Sequence, residues 1–233
     1  MTDQPLKKYA IIVAGGSGTR MNAPIPKQFM KLDGKPVLIH TISKFEEANL
    51  NIELILVLSF DQILYWEQLC AEYQFQPKLK IAESGETRFH SVKKGLALIE
   101  EEGIVAVHDA ARPLVSTKTI ATAYKAAEMY GNAVPAVPLN DSIRQIDSTL
   151  SIAVDRTKYC IIQTPQCFAT SIIKKAYEQD YKYTFTDDAT VVEAIGEKIH
   201  LIDGNPDNIK ITTPKDFIIA EALLKDKIIV VNK

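Results

Sequence analysis

The chain has 233 residues, 46% hydrophobic and 24% charged, with a formal net charge of −2. This composition excludes disordered and fibrous classes, and balanced charge without a basic stripe excludes a nucleic-acid-binding surface. No apolar run approaches the ~20 residues of a membrane helix and Met1-Thr2-Asp3-Gln4-Pro5 lacks the regions of a secretion signal, so a cytoplasmic protein without membrane contact is expected.

The first predicted strand, Tyr9–Val13, runs into Ala14-Gly15-Gly16-Ser17-Gly18-Thr19-Arg20-Met21, followed by Pro26-Lys27-Gln28. Glycines permit a sharp turn and close approach to a ligand, and successive amides in such a turn form an anion-binding concavity. With Arg20 and Lys27 as nearby cations, the segment suits a triphosphate. A dinucleotide-binding G-x-G-x-x-G is excluded because Met21 stands where glycine or alanine is required, and no Gly-Lys-Ser/Thr string completes a Walker-type loop. The competing reading is a strand-exit turn with Arg20 and Lys27 in solvent.

Strand and helix patterns then alternate. A helix is predicted around Val37, Leu38, Ile42 and Phe45, and a strand over Glu53–Ser59. A helix with Leu64, Trp66, Leu69 and Tyr73 precedes a strand at Leu79–Ala82. Ser84-Gly85-Glu86-Thr87-Arg88 reads as a turn opening a helix through Val92, Leu96 and Ile99, with Thr87 as its cap. Strand Ile104–His108 leads into His108-Asp109-Ala110-Ala111-Arg112-Pro113, the position where α/β active sites form. Asp109 there suits a phosphate-bound metal or a ribose hydroxyl. Arg112 suits an anion, or simply pairs with a carboxylate.

A helix through Ile120, Ala123, Tyr124 and Ala127 and a strand at Ala133–Pro138 follow. The alternation breaks once, where Ser142–Ile146 and Leu150–Val154 flank Asp147-Ser148-Thr149 and read as a β-hairpin. A lone apolar hairpin is barely stable in water, so a cover from its own chain or a second subunit is required. Asp155-Arg156 and Gln163-Thr164-Pro165-Gln166 come next, then helices at Ile172–Tyr177 and Ala189–Ile195 and a strand at Lys198–Ile202. After Asp207-Asn208-Ile209-Lys210-Ile211-Thr212, a last helix starts at Thr213-Pro214, with threonine as cap and proline at the first helical position. The expected architecture is α/β: a Rossmann-like, mostly parallel sheet with helices on both faces and a projecting β-hairpin arm.

Cys70, Cys160 and Cys167 lack the number and spacing of a disulfide framework or zinc site, and His40, His90, His108 and His200 lack ligand spacing. A metal, if used, should arrive with the substrate.

The ordered strings Ala-Gly-Gly-Ser-Gly-Thr-Arg-Met, Pro-Lys-Gln, Gly-Glu-Thr-Arg-Phe-His-Ser-Val, His-Asp-Ala-Ala-Arg-Pro, Asp-Arg, Thr-Pro-Gln, Thr-Asp-Asp and Asp-Asn-Ile-Lys-Ile-Thr extend from Ile11 to about Leu224. Together they resemble the 2-C-methyl-D-erythritol 4-phosphate cytidylyltransferases of the non-mevalonate isoprenoid pathway. The resemblance implies one nucleotidyltransferase domain over 1–233 with a β-arm at about 139–158, a homodimer built on the arms, and CTP with a small polyol phosphate as substrates. It implies that Ala14, Gly15, Gly16, Ser17 and Gly18 hold CTP, while Arg20 and Lys27 stabilise its phosphates in the transition state. Gly85, Glu86 and Ser91 match the cytosine pocket, and Asp109 matches an aspartate near ribose, acceptor and Mg²⁺. Arg156 and Lys210 match residues that place the acceptor, with Arg112, Ser142, Thr164 and Thr186 beside it. Glu86 stands where aspartate is frequent and Ser142 where threonine is; both keep the functional group.

The chemistry implied needs no catalytic base. A phosphate monoester has a second pKa of about 6, so it arrives largely as a dianion, and positioning with fixed positive charge supplies the catalysis. Two other readings share parts of the pattern: a ribitol 5-phosphate cytidylyltransferase, and a nucleotide-binding regulator without turnover. Asp155-Arg156 before Gln163-Thr164-Pro165-Gln166, and intact Ala110-Ala111, favour methylerythritol phosphate over ribitol phosphate. Retention of all five residues Arg20, Lys27, Asp109, Arg156 and Lys210 argues against a silent regulator.

Overall fold

A computed structural model describes residues 6–16 and 25–231, with side chains to residue 226. In chain order the elements are β1 (Lys7–Val13), β2 (Lys31–Leu32), β3 (Lys35–Pro36), α1 (Val37–Glu47), β4 (Ile52–Leu58) and α2 (Phe60–Glu72). Next come β5 (Leu79–Glu83), α3 (Arg88–Leu96), β6 (Gly103–Asp109), α4 (Thr117–Tyr130), β7 (Asn132–Pro138), β8 (Arg144–Asp147) and β9 (Leu150–Ala153). The chain then forms β10 (Cys160–Ile162), β11 (Gln166–Ala169), α5 (Thr170–Ala176), α6 (Asp188–Glu193), β12 (Leu201–Asp203) and α7 (Pro214–Val231). Among the described residues no helix is long and apolar enough to cross a membrane.

One eight-stranded sheet organises the molecule. Strand β1 lies between β4 and β6, parallel to both, and β5 extends the parallel set beyond β4. Strand order therefore runs outward through β4 and β5 and then returns to β6, on the other edge of β1. That reversal opens a crevice at the carboxyl ends of β1 and β6, the place where open α/β sheets bind ligands.

The expected mostly parallel sheet with helices on both faces is present, but the alternation breaks at a second place. Strands β10 and β11 both run antiparallel to β7, and β11 also pairs antiparallel with β6. These strands are short, and Gln163-Thr164-Pro165 interrupts them, so proline masks the pattern a longer strand would show.

The central strands are apolar along their buried middles because both faces are covered, with charged or polar residues kept to their ends. Ala10, Ile12, Leu54, Leu56, Ile104 and Ala106 point to one layer, against Leu38, Ile42 and Phe45 of α1, Trp66 of α2 and Tyr124 of α4. Alternate residues Tyr9, Ile11, Ile55, Val57, Val105 and Val107 point to the other, against Phe89, Val92 and Leu96 of α3, Ile173 of α5 and Val192 of α6. Each fully buried aliphatic side chain contributes about 1.5–3 kcal/mol. Tyr124 crosses its layer to donate from its hydroxyl to the Tyr9 carbonyl at 2.6 Å. A third cluster, with Leu32, Leu114, Ile211 and Ala220, docks α7 beside the crevice.

Strands β8 and β9 pair as the expected hairpin, Arg144 opposite Ala153 and Asp147 opposite Leu150. Every residue of both strands is exposed, and Ile146 and Leu150 keep 76% and 75% of their surface. Among the described residues, none covers the arm.

Candidate functional site

The crevice begins where β1 ends. Ala14 donates its amide to Val57 O at 2.9 Å, and Ala110 donates to Val13 O at 3.1 Å, so the ends of β4, β1 and β6 are locked side by side. Neither Gly15 nor Gly16 has positive φ, so these glycines are not needed for a left-handed turn. Gly15 is needed for close packing, since a Cβ there would lie 2.4 Å from Ser84 Cβ, whereas one on Gly16 meets no described residue within 4 Å. The buried Gln28 side chain secures the loop by donating to Ala14 O at 2.7 Å and to Gln62 Oε1 at 3.0 Å. Lys27, half-buried beside it, donates from Nζ to Ile211 O at 2.9 Å. Ser17, Gly18 and Arg20, assigned to the nucleotide from sequence, lie outside the described residues.

The opposite wall is the start of α3. Thr87 caps it, as expected, accepting from the His90 amide. The buried Ser91 hydroxyl accepts from the Gly85 amide at 3.1 Å and donates to Thr87 O at 2.9 Å, while Glu86 stands exposed at the rim. A Cβ on Gly85 would lie 2.4 Å from His90 Cβ and 2.9 Å from the His90 carbonyl carbon. In urea denaturation Gly85→Ala should therefore lose about 1–3 kcal/mol, the usual range for forced overpacking. Gly16→Ala should stay within about 0.5 kcal/mol of the parent. Equal losses would refute the steric account.

Asp109, at the end of β6, is the electrostatic centre. Its carboxylate meets Lys210 Nζ at 2.8 Å, Arg88 Nε at 3.3 Å and Arg112 Nε at 3.5 Å. Burial opposes ionisation, but the cations Arg88, Lys210 and Arg112 outweigh it and hold the carboxyl far below its ordinary range. Asp109 thus stays an anion and accepts no proton near neutrality. Arg112 also donates to Asn208 O at 2.7 Å, tying the Asp109 loop to the segment that carries Lys210.

Behind Asp109, the buried His108 ring bonds Arg112 O through Nε2 at 3.2 Å and Thr164 Oγ1 through Nδ1 at 3.0 Å. A carbonyl only accepts, so Nε2 carries the hydrogen and the Thr164 hydroxyl donates to Nδ1. Thr164 Oγ1 in turn accepts from the Asp109 amide at 3.2 Å. Burial pushes the imidazole down to about 4, so this histidine is a neutral brace at pH 7. The Thr164 hydroxyl, assigned to the acceptor from sequence, is engaged in this brace.

Two cavities meet at these groups. A cleft of about 510 Å³ is lined by Ala14, Gly15, Gly16, Lys27, Gly85, Glu86, Ser91, Asp109 and Lys210 among others. A smaller one of about 230 Å³ is lined by Arg112, Gln163, Thr164, Thr186 and Asp187. Arg88, Asp109 and Lys210 belong to both. A hollow of about 640 Å³ at the opposite ends of the strands is larger, but among its described lining residues Lys7 is paired with Glu53 and Glu101.

The two remaining sequence-assigned residues fall elsewhere. Ser142 and Arg156 are exposed at the base of the arm and line neither cavity, and the Arg156 guanidinium donates to Asn140 O.

The profile of the 2-C-methyl-D-erythritol 4-phosphate cytidylyltransferase family matches residues 9–226. The chain belongs to this family. A 2-C-methyl-D-erythritol 4-phosphate cytidylyltransferase from Bacteroides thetaiotaomicron is 47% identical over 219 residues, covering 94% of this chain and 100% of the relative. One from Geobacillus kaustophilus is 38% identical, covering 94% of this chain and 97% of the relative. Among solved structures, the 4-diphosphocytidyl-2C-methyl-D-erythritol synthase of Anaerococcus prevotii superposes with a TM-score of 0.81 at 28% identity, covering 94% of this chain and 96% of that one. The cytidylyltransferase of Thermus thermophilus gives 0.74 at 27% identity, covering 95% and 100%.

Gln28, Arg88, His108 and Asp188 build this cytidylyltransferase fold's crevice and received no role from the sequence. Gln28 and Arg88 stand inside motif strings that were legible, Pro-Lys-Gln and Gly-Glu-Thr-Arg. A capping turn at Thr87 accounts for the second string locally, and neither string carries a signal for the distant partners these side chains bond.

Proposed function

We propose that the larger cleft holds CTP and the smaller cavity holds 2-C-methyl-D-erythritol 4-phosphate, within a single nucleotidyltransferase domain. The reaction is the family's: the two join to give 4-diphosphocytidyl-2-C-methyl-D-erythritol and pyrophosphate. One observation carries the assignment of the cavities. They share Arg88, Asp109 and Lys210, a cluster of fixed charge in which the only carboxylate is locked as an anion.

In this reading a phosphate oxygen of the acceptor bonds to the α-phosphorus of CTP, and the bond between that phosphorus and the bridging oxygen breaks. Pyrophosphate departs with the bonding electrons. The acceptor is already a dianion, consistent with a site where Asp109 and His108 are both unavailable as bases near pH 7. The barrier is the meeting of two anions. Ala14, Gly15 and Gly16 line the cleft where the triphosphate would lie, the resemblance assigns Ser17 and Gly18 to the same phosphates, and Gly85, Glu86 and Ser91 border the base. The family resemblance assigns Arg20 and Lys27 to the departing charge, and Lys210 and Arg156 to the acceptor. Lys27 and Lys210 are already held by Ile211 O and Asp109, so little reorganisation is required as charge develops.

Among the described residues no group of three or more His, Cys, Asp or Glu is placed to hold a metal ion. The Asp109 carboxylate lines both cavities, and together with triphosphate oxygens and water it would hold Mg²⁺. When bound, the ion neutralises phosphate charge.

The arm, exposed and with apolar side chains uncovered by the described residues, supports a two-fold homodimer, each arm bringing Ser142 and Arg156 to the acceptor cavity of the other subunit. The test of the reaction is pyrophosphate release from CTP and Mg²⁺ with two acceptors in parallel. Methylerythritol phosphate should exceed ribitol 5-phosphate by a wide margin in kcat/KM, and chelation should stop turnover without lowering the melting temperature of the nucleotide-free protein. A higher kcat/KM for ribitol 5-phosphate would replace this reading, and melting on chelation would reveal a structural metal.

A further inference from the structure

Arg88 occupies the shared wall of both cavities, yet its charge is already engaged within the protein. From the first turn of α3 it sends a two-pronged bond to Asp188, Nη1 to Oδ1 at 3.0 Å and Nη2 to Oδ2 at 2.7 Å. Its Nε reaches Asp109 at 3.3 Å. Asp188 has no exposed surface, and its second donor is the Tyr177 hydroxyl at 2.6 Å. A carboxylate buried this deeply depends on such partners, because removing one leaves an uncompensated charge.

The anchored element is small. Helix α6 has six residues, too few to hold its place by its own hydrogen bonds. Asp188 is its first residue, directly after the cap Asp187, and Thr186 and Asp187 line the smaller cavity. A second anchor is Gln166, which donates to Asp187 Oδ2 at 2.8 Å and accepts from the Ala189 amide at 2.8 Å. Arg88 and Gln166 together fix this cavity wall relative to Asp109.

We propose that Arg88 is a positioning residue for the acceptor: its fork on Asp188 sets the Thr186–Asp187 wall against Asp109 and thereby controls acceptor affinity more than nucleotide affinity. The inference rests on the assignment of the smaller cavity to the acceptor. It differs from a phosphate-gripping role, in which Arg88 acts as one more cation for the triphosphate. Lysine cannot replace the fork, because a single ammonium lacks the planar pair of donors that matches a carboxylate.

Arg88→Lys should raise the acceptor KM on the order of 10–100-fold, as loss of a bidentate charged pair implies, while the CTP Kd measured by calorimetry changes less than about threefold. Tyr177→Phe, which removes one donor to Asp188 from a residue lining neither cavity, should raise the acceptor KM about two- to fivefold and leave CTP binding unchanged. Hydrogen exchange in the ligand-free proteins should be faster than in the parent at the Ala189 and Thr190 amides for both variants. Equal loss of CTP and acceptor affinity in Arg88→Lys would overturn the proposal in favour of phosphate contact. Parental acceptor KM and exchange in Tyr177→Phe would overturn it as well, and that milder variant decides the matter where Arg88→Lys does not fold. Absence of turnover by the parent with methylerythritol phosphate would instead sink the acceptor assignment, with exchange still reporting on the tether.

Discussion

Lys27→Ala should reduce turnover by ~10²–10³ while CTP affinity changes far less, the size expected for loss of one preorganised electrostatic donor. The geometry sharpens this expectation. Lys27 is half-buried at the start of a one-turn 3₁₀ helix, and its Nζ donates to Ile211 O, one residue beyond Lys210. The ammonium is thus held at the cleft wall before any nucleotide arrives, and in the proposed role its benefit is realised as the leaving pyrophosphate gains charge. Steady-state kinetics with pyrophosphate detection, paired with calorimetric CTP binding, separates the two effects. Near-normal turnover would refute the role, and so would a defect confined to binding. Because the same contact braces the 209–212 segment, the acceptor KM should also rise modestly.

Mixed dimers should restore activity that neither parent has. Arg156 is exposed at the base of the arm and lines neither cavity of its own chain, whereas Lys27 lines the larger cleft. Homodimers of Lys27→Ala and of Arg156→Ala should each be nearly inactive. In a two-fold heterodimer with shared sites, one pocket collects both defects and the other retains both cations, so activity should return to roughly half of the parental value. Differently tagged chains, co-expressed and purified through both tags, give the required species. Heterodimers as inactive as the homodimers would place Arg156 in the site of its own subunit. A monomer in solution would remove the basis for sharing altogether.

Much of this architecture was legible because it is written in local periodicity and turn chemistry. Apolar runs such as Ile104–Val107 bounded by turn residues signalled buried strands, and helix starts at Thr87 and Thr213 carried their caps in the sequence. The hairpin was legible for the same reason, from two alternating segments around a polar turn. Strands β10 and β11 were not, because three or four residues on either side of Gln163-Thr164-Pro165 give too short a period to register.

The candidate site divides in the same way. The sequence by itself determined the residue types: a glycine-rich strand exit, two lysines, a strand-terminal aspartate and a family pattern from one end of the chain to the other. Only the tertiary structure decided what each is bonded to. Gly15 is required by its contact with Ser84 rather than by its own φ, and Thr164 braces His108 and the Asp109 amide. Arg88 finds Asp188 across 100 positions of sequence, and Lys27 reaches Ile211 across 184. Such partners are set by how α3, α6 and the 209–212 segment converge on the ends of β1 and β6. Sequence patterns report the conformation of neighbouring residues, whereas an ion pair between distant ones exists only once packed layers bring the two charges together and exclude the water that would screen them.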